Sequence, residues 1–154
     1  MDAIDRKILA YVQKGGRDSY AEIGAAVGLS ISAVNERLKK LHTCGAIQFW
    51  SAAVDPRAVG RPILAYTQVL TAGARSDDVD AFLNAVRRND AVLECHHVTG
   101  RWSYLLKIRT ESLESLEALL SGIAAAPGVT QTHTELALSS LKETSVVPLA
   151  ADGT

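Results

Sequence analysis

Apolar residues recur at intervals of three or four over the first third of the chain, and this spacing predicts helices. The members of the first stripe are Ile4, Ile8 and Val12. Asp2 precedes this stripe and is a residue type that caps helices. A second helix is predicted over residues 20–27, because Ser19 and Glu22 have the spacing of a capping box. A third is predicted to begin after Ser30 or Ser32, either of which can cap it, and to run to about Thr43, with Gly45 ending it.

Residues 22–41 have the spacing of a helix-turn-helix. Gly28 lies at the sharp turn, and the small Gly24 lies four positions earlier, where the two helices nearly touch. The apolar residues that the third helix should bury are Val34, Leu38 and Leu41. Its opposite face is polar, and such a helix fits the major groove of DNA.

Six polar residues on or beside that face are the candidate DNA contacts: Ser30, Ser32, Asn35, Arg37, Lys39 and Lys40. Ser32 and Asn35 can hydrogen-bond base edges, and Lys39 and Lys40 suit phosphates, which position the protein without reading sequence. Arg37 lies on the flank of the buried stripe, where it could reach a phosphate or pair within the domain. The plainer interpretation is a three-helix bundle with a solvated polar face, or a protein-binding module.

The rest of the chain alternates short apolar runs with helical patterns. Residues 46–54 look like an extended strand or a wing, and turn signals follow over residues 55–61. Beyond them the predicted order is β-α-β-β-α-β, a ferredoxin-like arrangement whose elements span 63–71, 76–88, 92–98, 104–110, 112–125 and 129–138. Both helices would cover one face of an antiparallel sheet. The uncovered face predicts pairing with a second sheet.

These patterns predict an α+β protein with two domains. The predicted divisions are a helix-turn-helix domain with its linking strand (1–54), a linker (55–61), a ferredoxin-like domain (62–147) and a loose tail (148–154).

Charge and composition add a contrast between the two halves. The chain has 154 residues and a net charge of −1, but residues 1–60 carry eight Lys/Arg against six Asp/Glu, whereas the remainder carries eight against eleven. A basic N-terminal part beside an acidic C-terminal part is a mild sign that the two parts have different tasks. No run approaches the roughly 18 apolar residues of a membrane span, so a cytosolic protein without a membrane partner is expected. No Walker loop, nucleophile elbow or dinucleotide fingerprint is present, and we expect no enzyme activity.

With these features in place, the chain resembles the Lrp/AsnC family, the leucine-responsive, asparagine-operon or "feast/famine" regulators. The matching segments keep the family's order along nearly the whole chain: D-A-I-D-R-K-I-L (2–9), G-R-D-S (16–19), V-G-L-S (27–30), V-N-E-R-L-K-K-L (34–41), C-G-A-I (44–47), E-C-H-H-V-T-G (94–100), Y-L-L-K (104–107) and P-G-V-T-Q-T-H-T (127–134). The resemblance implies a winged helix-turn-helix followed by a ferredoxin-like effector domain of the RAM type. It also implies binding to double-stranded DNA and to a small effector, usually an amino acid or a related metabolite. Members form homodimers that often assemble further, commonly to octamers, and no cofactor is implied.

The resemblance points to two segments as effector contacts. The candidates are Gly100, Arg101, Trp102, Ser103, Gln131, Thr132, His133 and Thr134. Arg101 could clamp a carboxylate. The family usually has an aspartate at the position of Ser103, and a hydroxyl is a weaker partner than a carboxylate for an ammonium group. The resemblance thus predicts a pocket that handles standard amino acids poorly.

Each of these features also has a plainer interpretation. In that interpretation Trp102 does no more than pack between subunits, Arg101 is solvated, and the threonines of the last strand reflect β-propensity alone. Cys95, His96, His97 and His133 are metal-ligand types, but adjacent strand residues point to opposite faces, so no metal site is expected. Two other functions stay open: a tetrapyrrole enzyme of the sirohaem decarboxylase type, which shares this fold, and a sensor that acts through a protein partner.

Overall fold

The computed structural model describes residues 1–15, 18–73 and 77–149, which form two units. One unit contains residues 1–53 together with the chain from Lys142 onward, and the other contains Val54–Leu141. The predicted helix start at Ser76, the first two residues of the family segment over 16–19, and residues 150–154 of the predicted tail lie outside the described residues.

Three helices build the first unit: α1 (Ala3–Val12), α2 (Tyr20–Val27) and α3 (Ile31–Thr43). Their starts follow the predicted caps. The Ser19 side chain accepts from the backbone N–H of Glu22, whose own carboxylate accepts from Ser19, so the predicted capping box is present. Ser30 caps α3 by accepting from the backbone N–H of Ala33 at 3.3 Å. The buried side chains of the helices form a small core: Ile8, Leu9, Ile23, Val34, Leu38, Leu41 and Ile47.

The turn between α2 and α3 depends on two glycines. Gly28 ends α2 in the left-handed region, with φ of 75°, which favours glycine over any residue that has a Cβ. Gly24 lies beneath the turn, and a Cβ added there would lie 2.5 Å from the carbonyl oxygen of Leu29. The close approach predicted at Gly24 is therefore present, and it leaves no room for a side chain beneath the turn.

The predicted strand or wing over residues 46–54 is not found, because none of these residues joins a strand ladder in the described structure. Ile47 instead belongs to the helical core, and its N–H donates to the carbonyl of Leu41 at 3.1 Å. Beyond Ile47, the side chains of Phe49 and Trp50 are 72% and 55% exposed.

The last described residues make contacts with the first unit, whereas the predicted division placed residues up to 147 in the second domain. The side-chain amide of Gln13, at the end of α1, donates to the Val147 carbonyl at 3.2 Å, and its oxygen accepts from the Val147 N–H at 2.7 Å. Leu149 packs against the helical core. These contacts group residues 142–149 with the helices.

The second unit contains four strands and two helices in the predicted order. They are β1 (Ile63–Thr71), α4 (Asp77–Arg87), β2 (Val92–His97), β3 (Tyr104–Thr110), α5 (Leu113–Ala124) and β4 (Val129–Leu136). The sheet is antiparallel, with strand order β2-β3-β1-β4. One face carries the apolar core shared with the two helices, whose buried members include Ala65, Val69, Phe82, Leu106, Ile108 and Leu116.

The other face of the sheet carries the alternate residues of each strand. Because residues opposed across neighbouring strands point to the same side, the register places these side chains together. They include Tyr66, Gln68, Leu105, Lys107, Gln131 and His133. No described helix of this unit covers this face, as the sequence predicts.

Candidate functional site

The first candidate site is the face of α3 that points away from the helical core. Val34, Leu38 and Leu41 are buried on the inner side, with 0%, 6% and 2% exposure. At about 100° per residue, Ser32 and Lys39 lie nearly opposite that stripe. Ser32, Lys39 and Lys40 are exposed, and Asn35 is half-buried at the edge of the face. The ammonium groups of Lys39 and Lys40 form no ion pair with any residue that the structure describes.

Ser30 and Ser32 lie at the start of this helix, where the macrodipole favours anions. The hydroxyl of Ser30 is used as the N-cap and lies 3.1 Å from the hydroxyl of Ser32. Ser30 therefore holds the start of α3, and Ser32 presents its hydroxyl beside it.

Arg37 is paired within the domain, which was one of its two predicted roles. Its Nη1 lies 2.7 Å from Asp2 Oδ2 and 2.6 Å from Asp5 Oδ1, and the Asp5 side chain is 1% exposed. The Asp2 and Asp5 partners were not predicted as functional residues. The D-x-x-D spacing behind a helix start is a capping-box signal that could have found them.

The second candidate site joins the loop between β2 and β3 to the outer face of β4. Arg101 Nη2 donates to Gln131 Oε1 at 3.0 Å, and the guanidinium carbon lies 5.1 Å from the centre of the Trp102 ring. Trp102 stacks on His133, with centroids 6.1 Å apart and an interplanar angle of 25°. Gly100 has φ of 106°, a backbone conformation that favours glycine and turns the chain at the loop. The structure thus brings together two segments that are 30 residues apart in sequence.

Ser103 anchors the end of this loop to β1. Its N–H donates to the carbonyl of Val69 at 2.9 Å, and its Oγ accepts from the N–H of Thr71 at 3.2 Å. The hydroxyl of Thr71 also lies 3.1 Å from Ser103 Oγ. Thr71 was not among the predicted site residues, and only its hydrogen bonds to Ser103 in the folded chain identify it.

Two predicted effector residues point away from this cluster. Thr132 is paired with Val69 and Thr134 with Thr67, so both face the helix side of the sheet. The Thr134 hydroxyl is 3.0 Å from that of Thr67, which is 0% exposed. Alternation along β4 therefore leaves Gln131 and His133 with the loop and removes Thr132 and Thr134 from the same surface.

Metal-ligand residues do not converge in residues 1–15, 18–73 and 77–149, where no three His, Cys, Asp or Glu side chains could hold one ion. In the same residues, no helix is long and apolar enough to cross a membrane.

Comparison with known proteins finds a matching family model for each of the two parts of the chain. Residues 1–42 match the AsnC-type helix-turn-helix domain, and residues 64–147 match the Lrp/AsnC ligand binding domain.

The similarity to known regulators extends along almost the whole length of both chains. The chain is 35% identical to the HTH-type transcriptional regulator FL11 of Pyrococcus abyssi, over 97% of both chains. It is 32% identical to the leucine-responsive regulatory protein of Escherichia coli K12, over 94% of this chain and 89% of that protein. A transcriptional regulator of Neisseria meningitidis, solved as a complex with L-methionine, has a TM-score of 0.90 at 29% identity, covering 96% of each chain. By its two domains and these relatives, the chain belongs to the Lrp/AsnC family of DNA-binding transcriptional regulators.

Proposed function

We propose that this regulator reads DNA with α3, placed in the major groove. The observation that carries this proposal is the division of α3 into a buried stripe and an outward face that bears two lysines without ion-pair partners in the described chain. A helix of this kind reads base edges near its N-terminus and contacts phosphates farther along.

Asn35 and Ser32 are assigned to base edges in this proposal. An asparagine amide can bond an adenine edge through both its donor and its acceptor. Lys39 and Lys40 are assigned to phosphates, and Ser30 keeps the first turn of α3 in place for both tasks.

The test is selection of binding sites from a random duplex library, followed by a gel shift on the promoter of its own gene. We expect enrichment of one pseudo-palindromic sequence, because two copies of α3 in a dimer read two half-sites. Asn35→Ala should lose preference at one base position in each half-site. An identical sequence preference for the variant would contradict the role of Asn35, and no enrichment by the unmodified chain would contradict DNA reading by α3.

We propose that the surface formed by Arg101, Trp102, Gln131 and His133 binds the effector, an amino acid or a related carboxylate metabolite. Arg101 offers a planar set of donors that suits a carboxylate, and it has no acidic partner among the described residues. Trp102 and His133 offer a flat wall for the remainder of the ligand. The L-methionine complex of the Neisseria relative supports an amino-acid-sized ligand.

A thermal-shift screen tests this proposal, with L-methionine and its 2-oxo acid among the first compounds. A ligand at about 100 times its Kd stabilises the native protein by about 2.7 kcal/mol, which shifts the melting temperature by several degrees. Arg101→Gln should abolish the shift. Arg87→Gln, an equal charge change in α4, should preserve it. Loss of the shift in both variants would contradict a specific role for Arg101.

We also propose that the protein is a homodimer that assembles to an octamer. The outer face of the sheet lacks a covering layer in its own unit, and pairing of two such faces would bury Tyr66 and its neighbours. Analytical ultracentrifugation across a range of concentrations measures the assembly directly. A monomer at micromolar concentration would contradict the pairing, and a dimer without larger species would contradict the octamer.

A further inference from the structure

We propose that Arg37 is a positioning residue for DNA recognition, which holds α3 in one rotation about its axis by joining it to Asp2 and Asp5 at the start of α1. This inference rests on the proposed reading of DNA by α3 and extends it to residues that contact no DNA. It assigns part of the DNA preference to α1.

The joint between Arg37 and the two aspartates, Asp2 and Asp5, uses all four oxygens of the two carboxylates. Asp2 Oδ1 accepts from the N–H of Asp5 at 2.7 Å, and Asp5 Oδ2 accepts from the N–H of Asp2 at 3.1 Å. The two remaining oxygens, Asp2 Oδ2 and Asp5 Oδ1, both accept from Arg37 Nη1. The reciprocal backbone bonds hold the two aspartates in place without help from Arg37. This fixed geometry distinguishes their ion pair with Arg37 from an ordinary exposed ion pair.

The ionisation of both carboxyl groups agrees with this geometry. The N–H of Asp5 and then the guanidinium of Arg37 lower the pKa of Asp2 to about 2. Burial raises the pKa of Asp5, but the bonds from Asp2 and Arg37 outweigh it, and the pKa of Asp5 lies below its ordinary value. Both groups are therefore charged partners of Arg37 at neutral pH.

The position of Arg37 on α3 gives the joint its effect. Arg37 lies about 60° to one side of Val34 on the helix, and Asn35 lies about 100° to the other side. The hydrophobic effect that buries the apolar stripe is itself non-directional, so the stripe decides which side of α3 faces the core more than its exact angle. A short ion pair on one flank supplies that direction, since turning α3 would pull Nη1 away from an almost completely buried carboxylate.

A direct phosphate contact by Arg37 is the competing role, and it makes a different prediction. A phosphate contact contributes equally to all DNA sequences and steepens the dependence of affinity on salt. A positioning role changes the discrimination between sequences and leaves the salt dependence as it was.

The experiment uses the full chain, the duplex that it enriches from a random library, and an unrelated duplex, each titrated at several salt concentrations. For Arg37→Gln and Asp5→Asn, we expect the ratio of specific to non-specific affinity to fall about 10-fold, the size of one lost base contact. Binding to the unrelated duplex and the salt slope should stay unchanged. The double variant should lose no more than either single variant, because both act through one joint.

Asp2→Asn keeps the experiment decisive if a variant unfolds. Asparagine remains a good N-cap, so this variant removes one charge of the joint without removing the helix start. A smaller loss of the same ratio is expected, and circular dichroism checks that each variant retains its helices. A shallower salt slope for Arg37→Gln, or an unchanged ratio in folded variants, would overturn the proposal. No enrichment by the unmodified chain would instead overturn the reading of DNA by α3.

Discussion

Replacing both Lys39 and Lys40 by alanine should flatten the salt dependence of DNA binding. Both ammonium groups are exposed on the outer face of α3 and have no ion-pair partner in the described residues, so they are available to phosphates. Each neutralised phosphate contributes a slope of about −0.9 in a plot of log affinity against log salt. Two lysines on each of two recognition helices make four contacts, and the variant slope should be shallower by about 3.6. Between 50 and 200 mM salt, the unmodified protein should lose about 150-fold more affinity than the variant.

The assay is fluorescence anisotropy with a labelled duplex at four or more salt concentrations. Arg87 and Arg88, which are exposed in the second unit, provide the charge-matched control when both are replaced by alanine. Equal slopes for that control and the unmodified chain separate local contacts from net charge. If the lysine variant keeps the original slope, Lys39 and Lys40 do not contact phosphates and α3 is oriented differently on DNA.

Three further predictions concern the loop, the turn and acid stability. Ser103→Asp keeps an acceptor for the N–H of Thr71 and adds a negative charge. Calorimetry should therefore show that the affinity for L-methionine rises about 10-fold relative to the affinity for its 2-oxo acid. The same affinity ratio in the variant and the unmodified chain would contradict the predicted weakness toward ammonium groups. Gly28→Ala, at φ of 75°, should cost about 1 kcal/mol in urea unfolding, whereas Gly122→Ala, in open space within α5, should stabilise by a similar amount; equal effects would refute the conformational reason. The lowered pKa of Asp2, about 2, means that its contribution to stability is complete above about pH 5 and is lost as the pH falls through 4 toward 2. Asp2→Asn should therefore show a smaller acid loss in pH-dependent unfolding, and an unchanged acid transition would contradict the pairing.

Local patterns predicted most of the secondary structure, because caps and periodic apolar residues act within a few positions. Asp2, Ser19 and Ser30 begin the helices that their sequence positions indicate. The prediction of a strand over 46–54 was wrong, because apolar residues show the same pattern whether they pair in a sheet or, like Ile47, pack into a helical core.

The candidate sites needed information that a single sequence pattern lacks. The sequence predicted only that the segments containing Arg101 and Gln131 belong to one surface, not that these two side chains touch. The strand register decides which residues of β4 lie on that surface. Thr132 and Thr134 were included because the resemblance points to the whole segment, whereas strand alternation places them on the opposite face from Gln131 and His133. Arg37 had two possible partners by charge alone, and the fold brings it to Asp2 and Asp5.

The contact between Gln13 and Val147 has a consequence for how the DNA-binding unit is made. Its helices are synthesised first, but the segment that binds Gln13 follows only after all of residues 54–141. The second unit is thus an insertion within the first. During synthesis, α3 emerges before residues 142–149, which complete the first unit. A single protease cut within residues 55–61 leaves the two units joined by the second crossing near Lys142, so release of a separate DNA-binding fragment requires two cuts. Such a fragment would keep residues 142–149 only through their non-covalent contacts with α1 and the helical core.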